Sequence, residues 1–498
     1  MTLQLSKPTR LGASCKLALA GGLLVVALSI LSCSNTHREI LAITHVTVVD
    51  TAGSPPDSDC TVVISGSRIV SIGAASSLGI PAGAKLVDGR GKFLIPGLAD
   101  MHVHLTGAGE PDGSRKFILP LLVANGVTTV RDMGGKVELL KQLREEIASG
   151  KRVGPQIFFT GPYLDGNPPS FQPSVVVQNP AEAAAAVDQL QAEGVDFIKV
   201  QSRLNPEAYF SIARESKRLG IPFVGHVPDS ITAVEASNAG QASIEHLTGV
   251  LLGFSGREEE LRREKLLPPR PGEPSDELRR RNRLWLRTLL DSGSPTKTQT
   301  LIAAFVKNRT RQVPTFPTLV HVGLLTPQTD RGEDSLLRYV PANLQAIWQQ
   351  GRKEQLEGYT ADDFALRKEL VGRSIEMVGK MNTAGVSILA GTDTTAPNVF
   401  PGFSLHEDLE YLVKAGLTPS EALQAATSRP AEFLGRSREQ GAVQAGKRAD
   451  LVLLDADPLA DIRNTQKIRA VIVNGKLLDR AELDRMLAGV ERFAANSR

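Results

Sequence analysis

The sequence predicts an α/β protein: a parallel (β/α)8 TIM barrel carrying a small discontinuous β-sandwich formed by both ends of the mature chain. Three observations lead there. Short apolar strands alternate with helical segments through the middle of the chain, period-two β segments recur near both ends, and several histidines stand directly after predicted strands. Strands alternating with helices favour a parallel sheet, and eight such units favour a barrel. A chain of 498 residues also has room for more than one domain.

The N-terminal element reads as an export signal. Lys7, Arg10 and Lys16 precede an apolar run over 17–31 that ends in Ser32-Cys33, the layout of a secretory signal peptide. Ile30-Leu31-Ser32-Cys33 resembles a bacterial lipobox, so Cys33 is expected to carry the lipid and become the first mature residue. Such an anchor places the protein on the periplasmic face of the cell envelope, and Ser34 favours the outer membrane. The competing reading is an uncleaved anchor helix, because the run is near the shortest that spans a bilayer. Cys15, Cys33 and Cys60 are the only cysteines, so no disulfide framework is expected.

Residues 34–95 are read as the first part of the sandwich, with strands over 40–49, 60–64 and 68–72. Residues 96–434 are read as the barrel. Its strands are expected at 98–103, 127–131, 156–160, 197–200, 222–225, 242–245, 313–315 and 386–390, with clear helices over 181–192 and 205–218. Two connections, 253–290 and 324–359, exceed ordinary loop length; they are read as helical excursions walling the barrel mouth, or as solvated padding. Residues 435–480 complete the sandwich with strands at 451–454 and 470–473, where Asn474-Gly475 signals a tight hairpin. Residues 481–498 form a C-terminal helix or tail.

Composition excludes some partners. The formal net charge is +3 and no basic stripe interleaved with aromatics appears, so nucleic acid is not an expected partner. The substrate is expected to be a small molecule.

The chemistry centres on Asp100-Met101-His102-Val103-His104. On a strand, residues two apart face the same side, so His102 and His104 can present two imidazoles to one point. A lone His-x-His pair proves little. The chain holds eight histidines, however, and His226 and His246 each directly follow a predicted strand, where barrels place catalytic groups. Asp393 ends the last strand, and Lys199 lies inside an apolar one, where an unpaired ammonium is expensive.

This order of residues resembles the amidohydrolase superfamily in its binuclear form. Supporting phrases are Pro96-Gly97-Leu98, 126–132 (GVTTVRD) and Gly446-Lys447-Arg448-Ala449-Asp450-Leu451. His226-Val227-Pro228 and Gly416-Leu417-Thr418-Pro419 look closest to the imidazolonepropionase-like and Xaa-Pro dipeptidase-like branch. The resemblance implies that His102, His104 and Asp393 hold the more buried of two divalent ions and that His226 and His246 hold the other. Lys199, carboxylated by carbon dioxide, would bridge them; an uncarboxylated Lys199 paired with Asp393 would leave a single metal. Imidazole and carboxylate ligands suit zinc, with manganese, cobalt and iron also compatible. A hydroxide bridging the ions would attack the substrate, with Asp393 as general base.

Candidate substrate-binding residues are Arg131, which can pair a carboxylate or serve structurally, Tyr163, which can hydrogen-bond an intermediate, and His321 after strand 7. His406 is expected to make a structural hydrogen bond. The expected function is hydrolysis of an amide C–N bond, in a dipeptide or an N-acyl amino acid by branch resemblance. Ring opening or deamination of a heterocycle is the alternative chemistry, and a non-catalytic surface binding protein the alternative class. Such enzymes commonly form homo-oligomers, although no interface pattern is readable in the sequence.

Overall fold

The computed structural model describes residues 40–51, 53–106, 113–268, 270, 273–322 and 335–497. The expected signal peptide, Cys33 and the tether after it lie outside the described residues. Among the described residues no helix is long and apolar enough to cross a membrane.

The two ends of the chain meet in one sheet. Strands β1 (Ile40–Val48), β2 (Asp57–Ser65), β3 (Arg68–Ala74), β4 (Lys85–Asp88) and β5 (Phe93–Pro96) come from the N-terminal side. The middle of the chain supplies β6 (Leu98–Val103), β7 (Val127–Asp132), β8 (Gln156–Phe159), β9 (Tyr163–Asp165), β10 (Ser174–Val176), β11 (Ile198–Val200), β12 (Phe223–Gly225), β13 (Ser243–Glu245) and β14 (Arg311–Val313). The C-terminal side adds β15 (Leu451–Leu454), β16 (Ile468–Val473) and β17 (Lys476–Asp479). The terminal strands form an eight-stranded sheet in the order β17-β16-β15-β5-β1-β2-β3, with β4 pairing β1. The seam between the ends is antiparallel, Val452 opposite Ile95 and Leu453 opposite Leu94. One shared core explains why neither end suffices alone: Leu41, Ile43, Val62 and Ile64 pack with Leu451, Leu453 and Ile472. Asn474 (φ 51°) and Gly475 (φ 79°) both adopt the left-handed region, as the tight β16–β17 hairpin requires.

The middle strands are parallel, in two sheets: β6-β7-β8 and β10-β9-β11-β12-β13-β14. Hydrogen bonds link them on both sides. Asp196 N donates to Phe159 O at 2.9 Å, beside β8 and β11. On the other side the segment after residue 385 lies between β14 and β6: Leu389 N donates to Gln312 O (2.9 Å) and Met101 N to Ala390 O (3.0 Å). This segment departs from the regular strand expected at 386–390. Ile388 makes an isolated bridge to Gln312, and Ala390 N turns aside to Ala425 O. The strand expected at 313–315 sits earlier, at Arg311–Val313. Pro314 has no N–H to continue the ladder, and Thr315 takes a left-handed conformation, φ 51°. β9 and β10 were not anticipated.

The helices over Pro180–Ala192 and Pro206–Leu219 begin where Asn179 and Asn205 accept hydrogen bonds from the first-turn amides, each followed by proline. The 253–290 connection contains helices Glu258–Leu266 and Ser275–Asp291. The first of these clamps the loop after His226: Arg262 Nη1 donates to Asp229 O (2.9 Å) and Ile231 O (2.6 Å), and Lys265 pairs with Asp229 at 2.7 Å. In the other long connection, the described part holds helix Ala342–Leu356, whose buried Trp348 packs edge-on to Phe400; the remainder lies outside the described residues.

Candidate metal centre

Six predicted residues stand at or near the C-terminal ends of the middle strands. His102 lies in β6 and His104 just past it, while Val103 between them turns into the apolar core. His226 and His246 follow β12 and β13, Lys199 is the middle residue of β11, and Asp393 follows the 386–390 segment. His246 (φ 56°) and Asp393 (φ 63°) both hold left-handed backbone, which for such residues costs about 1–3 kcal/mol and is characteristic of functional sites. Each is pinned by its own amide: His246 N donates to Val313 O (2.9 Å) and Asp393 N to His102 O (2.7 Å).

The four imidazoles converge. Ring centroids lie 4.6 Å apart for His102 and His246, 5.1 Å for His226 and His246, and 5.4 Å for His102 and His104. Asp393 Oδ1 is 3.0 Å from His104 Nε2 and 3.4 Å from His102 Nε2. His102, His104 and Asp393 offer donor atoms that all lie within 4.8 Å of one another.

Each imidazole is oriented through Nδ1. His102 Nδ1 bonds Glu245 Oε2 (2.8 Å), His104 Nδ1 bonds Gly134 O (3.2 Å), His226 Nδ1 bonds Ser202 Oγ (2.8 Å) and His246 Nδ1 bonds Thr315 Oγ1 (2.6 Å). Fixing one ring nitrogen commits the other, Nε2, to the centre, which is how metal-binding histidines are held. The fit to a metal rests on one orphan: His102 Nε2 is buried and, among the described residues, has no hydrogen-bond partner. A bound cation would satisfy it. Gly225 keeps the adjoining space open, since a Cβ there would fall 2.9 Å from Lys199 Cδ and 2.3 Å from Val200 O.

The electrostatics suit ligands. Burial, reinforced by the Lys199 charge, holds the His102 and His226 imidazoles well below their ordinary range, and burial also lowers His246. These rings are therefore neutral at pH 7, the form that donates a lone pair. His104 shifts the other way: burial pushes it down, but its bond to Asp393 and the charges of Asp393 and Asp132 together raise it. For Asp393, burial pushes up, but His246, His104 and Lys199 together hold the carboxyl below its usual range. Burial brings Lys199, 1% exposed, down to about 8, against the opposing pull of Glu245 and Asp393.

The sequence reasoning missed the residues that do the orienting. Glu245 is wholly buried; its Oε1 accepts from Arg131 Nη2 (2.9 Å) and Ser243 Oγ (2.5 Å). Strand alternation offered a signal, since Ser243 and Glu245 lie two apart in β13 and so share a face. Asp100 was likewise overlooked. It accepts from His102 N, Thr392 N and Thr392 Oγ1, tying β6 to the Asp393 loop, and burial pushes it up to about 7.

The three candidate substrate residues lie in different settings. The Arg131 side chain is fully buried and donates to Met101 O, Ser243 Oγ and Glu245 Oε1, the structural alternative of its two readings. Tyr163 is beside the centre, its hydroxyl 3.4 Å from His104 Nδ1. His321 is buried at the end of helix Phe316–His321, where its Nε2 meets Glu407 Oε2 at 2.9 Å. His406 is buried between Thr465 Oγ1 and Asn125 O.

Comparison with known proteins places the chain in a family. The profile of the Amidohydrolase family matches residues 93–257 and 340–478. An ochratoxinase from Aspergillus niger is 32% identical over 117 residues, 23% of each chain. An imidazolonepropionase from Shouchella clausii is 38% identical over 81 residues, 15% of this chain and 17% of that one. These matches thus span a quarter or less of the relatives' length. Among solved structures, a candidate prolidase from Bifidobacterium longum superposes with a TM-score of 0.66 at 26% identity, covering 91% of this chain and 99% of that one. On this evidence the chain belongs to the amidohydrolase family, a family of metal-dependent hydrolases.

Proposed function

We propose that the protein hydrolyses an amide C–N bond in a dipeptide or an N-acyl amino acid, with Asp393 as general base. The observation that carries this reading is the cluster of four Nδ1-anchored imidazoles, two of which, His102 and His104, stand against Asp393. His102, His104 and Asp393 would hold one divalent ion, His226 and His246 a second, and zinc suits the donor set. Lys199 would join them as a carbamate: its neutral amine attacks carbon dioxide, a nitrogen–carbon bond forms, and the displaced proton leaves to solvent. A low-lying amine pKa supports that step, because more of the group is unprotonated and nucleophilic.

Metal ions bound there would polarise the scissile carbonyl and ease ionisation of water. The chain's own groups do the rest. Asp393, kept ionised by its cationic and imidazole neighbours, takes the proton from the attacking water and delivers it to the leaving amine nitrogen. The Tyr163 hydroxyl, beside His104, is placed to donate a hydrogen bond to the developing oxyanion.

We also read β6, β7, β8, β11, β12, β13, β14 and residues 386–390 as a closed (β/α)8 barrel over 96–434, supported by the hydrogen bonds on both sides of the two parallel sheets. The terminal sheet, curled over its shared core, would be the sandwich of 34–95 and 435–480. Acylation at Cys33 would hold the enzyme on the envelope.

The test is a library of dipeptides and N-acyl amino acids incubated with zinc- and bicarbonate-loaded protein and followed by mass spectrometry. Selective consumption, abolished by chelator, is the expected result. Release of ammonia from heterocycles with no amide cleavage would replace this reading with the deamination alternative.

A further inference from the structure

Beside the metal centre, two adjoining loops display an aromatic ring and an arginine that the mechanism does not use. The loop bearing the ring runs from β9 to β10 and is stiffly built. Buried Asp165 accepts hydrogen bonds from three backbone amides: Gly166 N (2.9 Å), Ser170 N (2.6 Å) and, on the neighbouring loop after β11, Arg203 N (2.9 Å). The two loops touch so closely that a Cβ on Gly166 would fall 2.0 Å from Arg203 O. Arg203 Nη1 in turn donates to Pro168 O at 3.3 Å.

On this frame the Phe171 ring is 58% exposed. Its ring centroid lies 6.5 Å from Tyr163, whose own ring stands 6.2 Å from His104. The three rings make a continuous path from the metal centre outward. Arg203 is exposed, and among the described residues no carboxylate pairs with it. The residue before it, Ser202, orients His226, so this loop too borders the centre. An apolar ring and a guanidinium that, among the described residues, has no carboxylate partner, carried on two loops tied together, match a ligand with an apolar side chain and a carboxylate.

We propose that Phe171 and Arg203 form the subsite for the leaving amino acid, selecting an aromatic or large apolar side chain with a free carboxylate. The inference rests on the amide-hydrolase reading for its chemistry, but its recognition elements can be tested separately.

The experiment compares wild type, Phe171→Ala and Arg203→Gln, each loaded with zinc, on N-acetyl-phenylalanine, N-acetyl-glycine and N-acetyl-phenylalaninamide, reading acetate release. Phe171→Ala is expected to raise KM for the phenylalanine substrate about 10-fold while sparing the glycine one. Arg203→Gln is expected to lower kcat/KM for the free carboxylates by about 10–100-fold and to spare the amide. Equal losses on all substrates, or none on any, would overturn the subsite. Binding of N-acetyl-phenylalanine by calorimetry runs alongside. If wild type cleaves nothing but binds this probe, and both variants lose binding, the subsite stands and the hydrolase reading falls. If wild type neither cleaves nor binds it, the subsite is overturned.

Discussion

The Glu245 carboxylate joins two strands' functional groups: one oxygen meets His102 Nδ1 at 2.8 Å and the other meets Arg131 Nη2 at 2.9 Å, all within a fully buried layer. Arg131 Nη2 donates to one Glu245 oxygen, and the other oxygen is placed to accept from His102 Nδ1. The lone pair on Nε2 is thereby fixed toward the centre. Removing the carboxylate, in Glu245→Ala, is expected to weaken divalent-metal affinity about 10–100-fold, read by competition with a coloured chelator. It also strands a buried guanidinium, so unfolding in urea should show a loss of about 3–5 kcal/mol. Glu245→Gln, which still accepts from Arg131, should lose less on both measures.

Asp393→Asn keeps the size of the side chain and removes its basicity. Turnover is expected to drop by about 10²–10⁴-fold with circular dichroism unchanged. Near-wild-type turnover would remove Asp393 from the general-base role.

If Lys199 is carboxylated as proposed, Lys199→Ala should lose one of two bound metal ions, because the proposed carbamate ligand would be gone. Metal analysis by plasma mass spectrometry after desalting checks this. Wild-type protein prepared without bicarbonate should show the same deficit, reversed when bicarbonate is restored. Full metal content in Lys199→Ala would argue against the bridge.

Away from the site, Glu146 supplies a pH-dependent clamp. Arg115 and Arg152 donate to its carboxylate at 2.8 Å each, and these bonds hold it down to about 2. A carboxyl whose folded pKa is depressed adds stability that is fully present above the unfolded value, about 4.5, and is lost as pH falls toward about 2. Glu146→Gln should therefore be less stable than wild type by about 2–3 kcal/mol at neutral pH, and the gap should close across that acid window in urea denaturation.

Cys33→Ser should abolish incorporation of radiolabelled palmitate in a bacterial host and shift the protein from the membrane to the soluble fraction. Retained membrane association without label would favour the uncleaved anchor helix.

Much of the site could be found before any fold was known. His102 and Lys199 lie in strands and His104, His226, His246 and Asp393 just after strand segments, and parallel strands in a βα repeat present their C-terminal ends on one side. What escaped were groups whose roles depend on partners remote in the chain. Glu245 looked like an ordinary strand residue until His102 and Arg131, more than a hundred positions earlier, were brought against it. Arg131 could have reached for substrate or for a neighbour, and its burial among Met101, Ser243 and Glu245 decided where its donors point.

Local chemistry in the amino-acid order was therefore enough to specify the βα rhythm, the Asn474-Gly475 hairpin, the asparagine-capped helices and the His-x-His pair. Each depends on residues a few positions apart, where steric and hydrogen-bonding preferences act directly. Tertiary packing alone decided the join of β5 to β15, the broken pairing at 386–390, the tautomer-fixing contacts and the placement of Phe171 and Arg203. Those features are settled by which distant groups compete for the same buried donor or surface, and local preference carries no record of that competition.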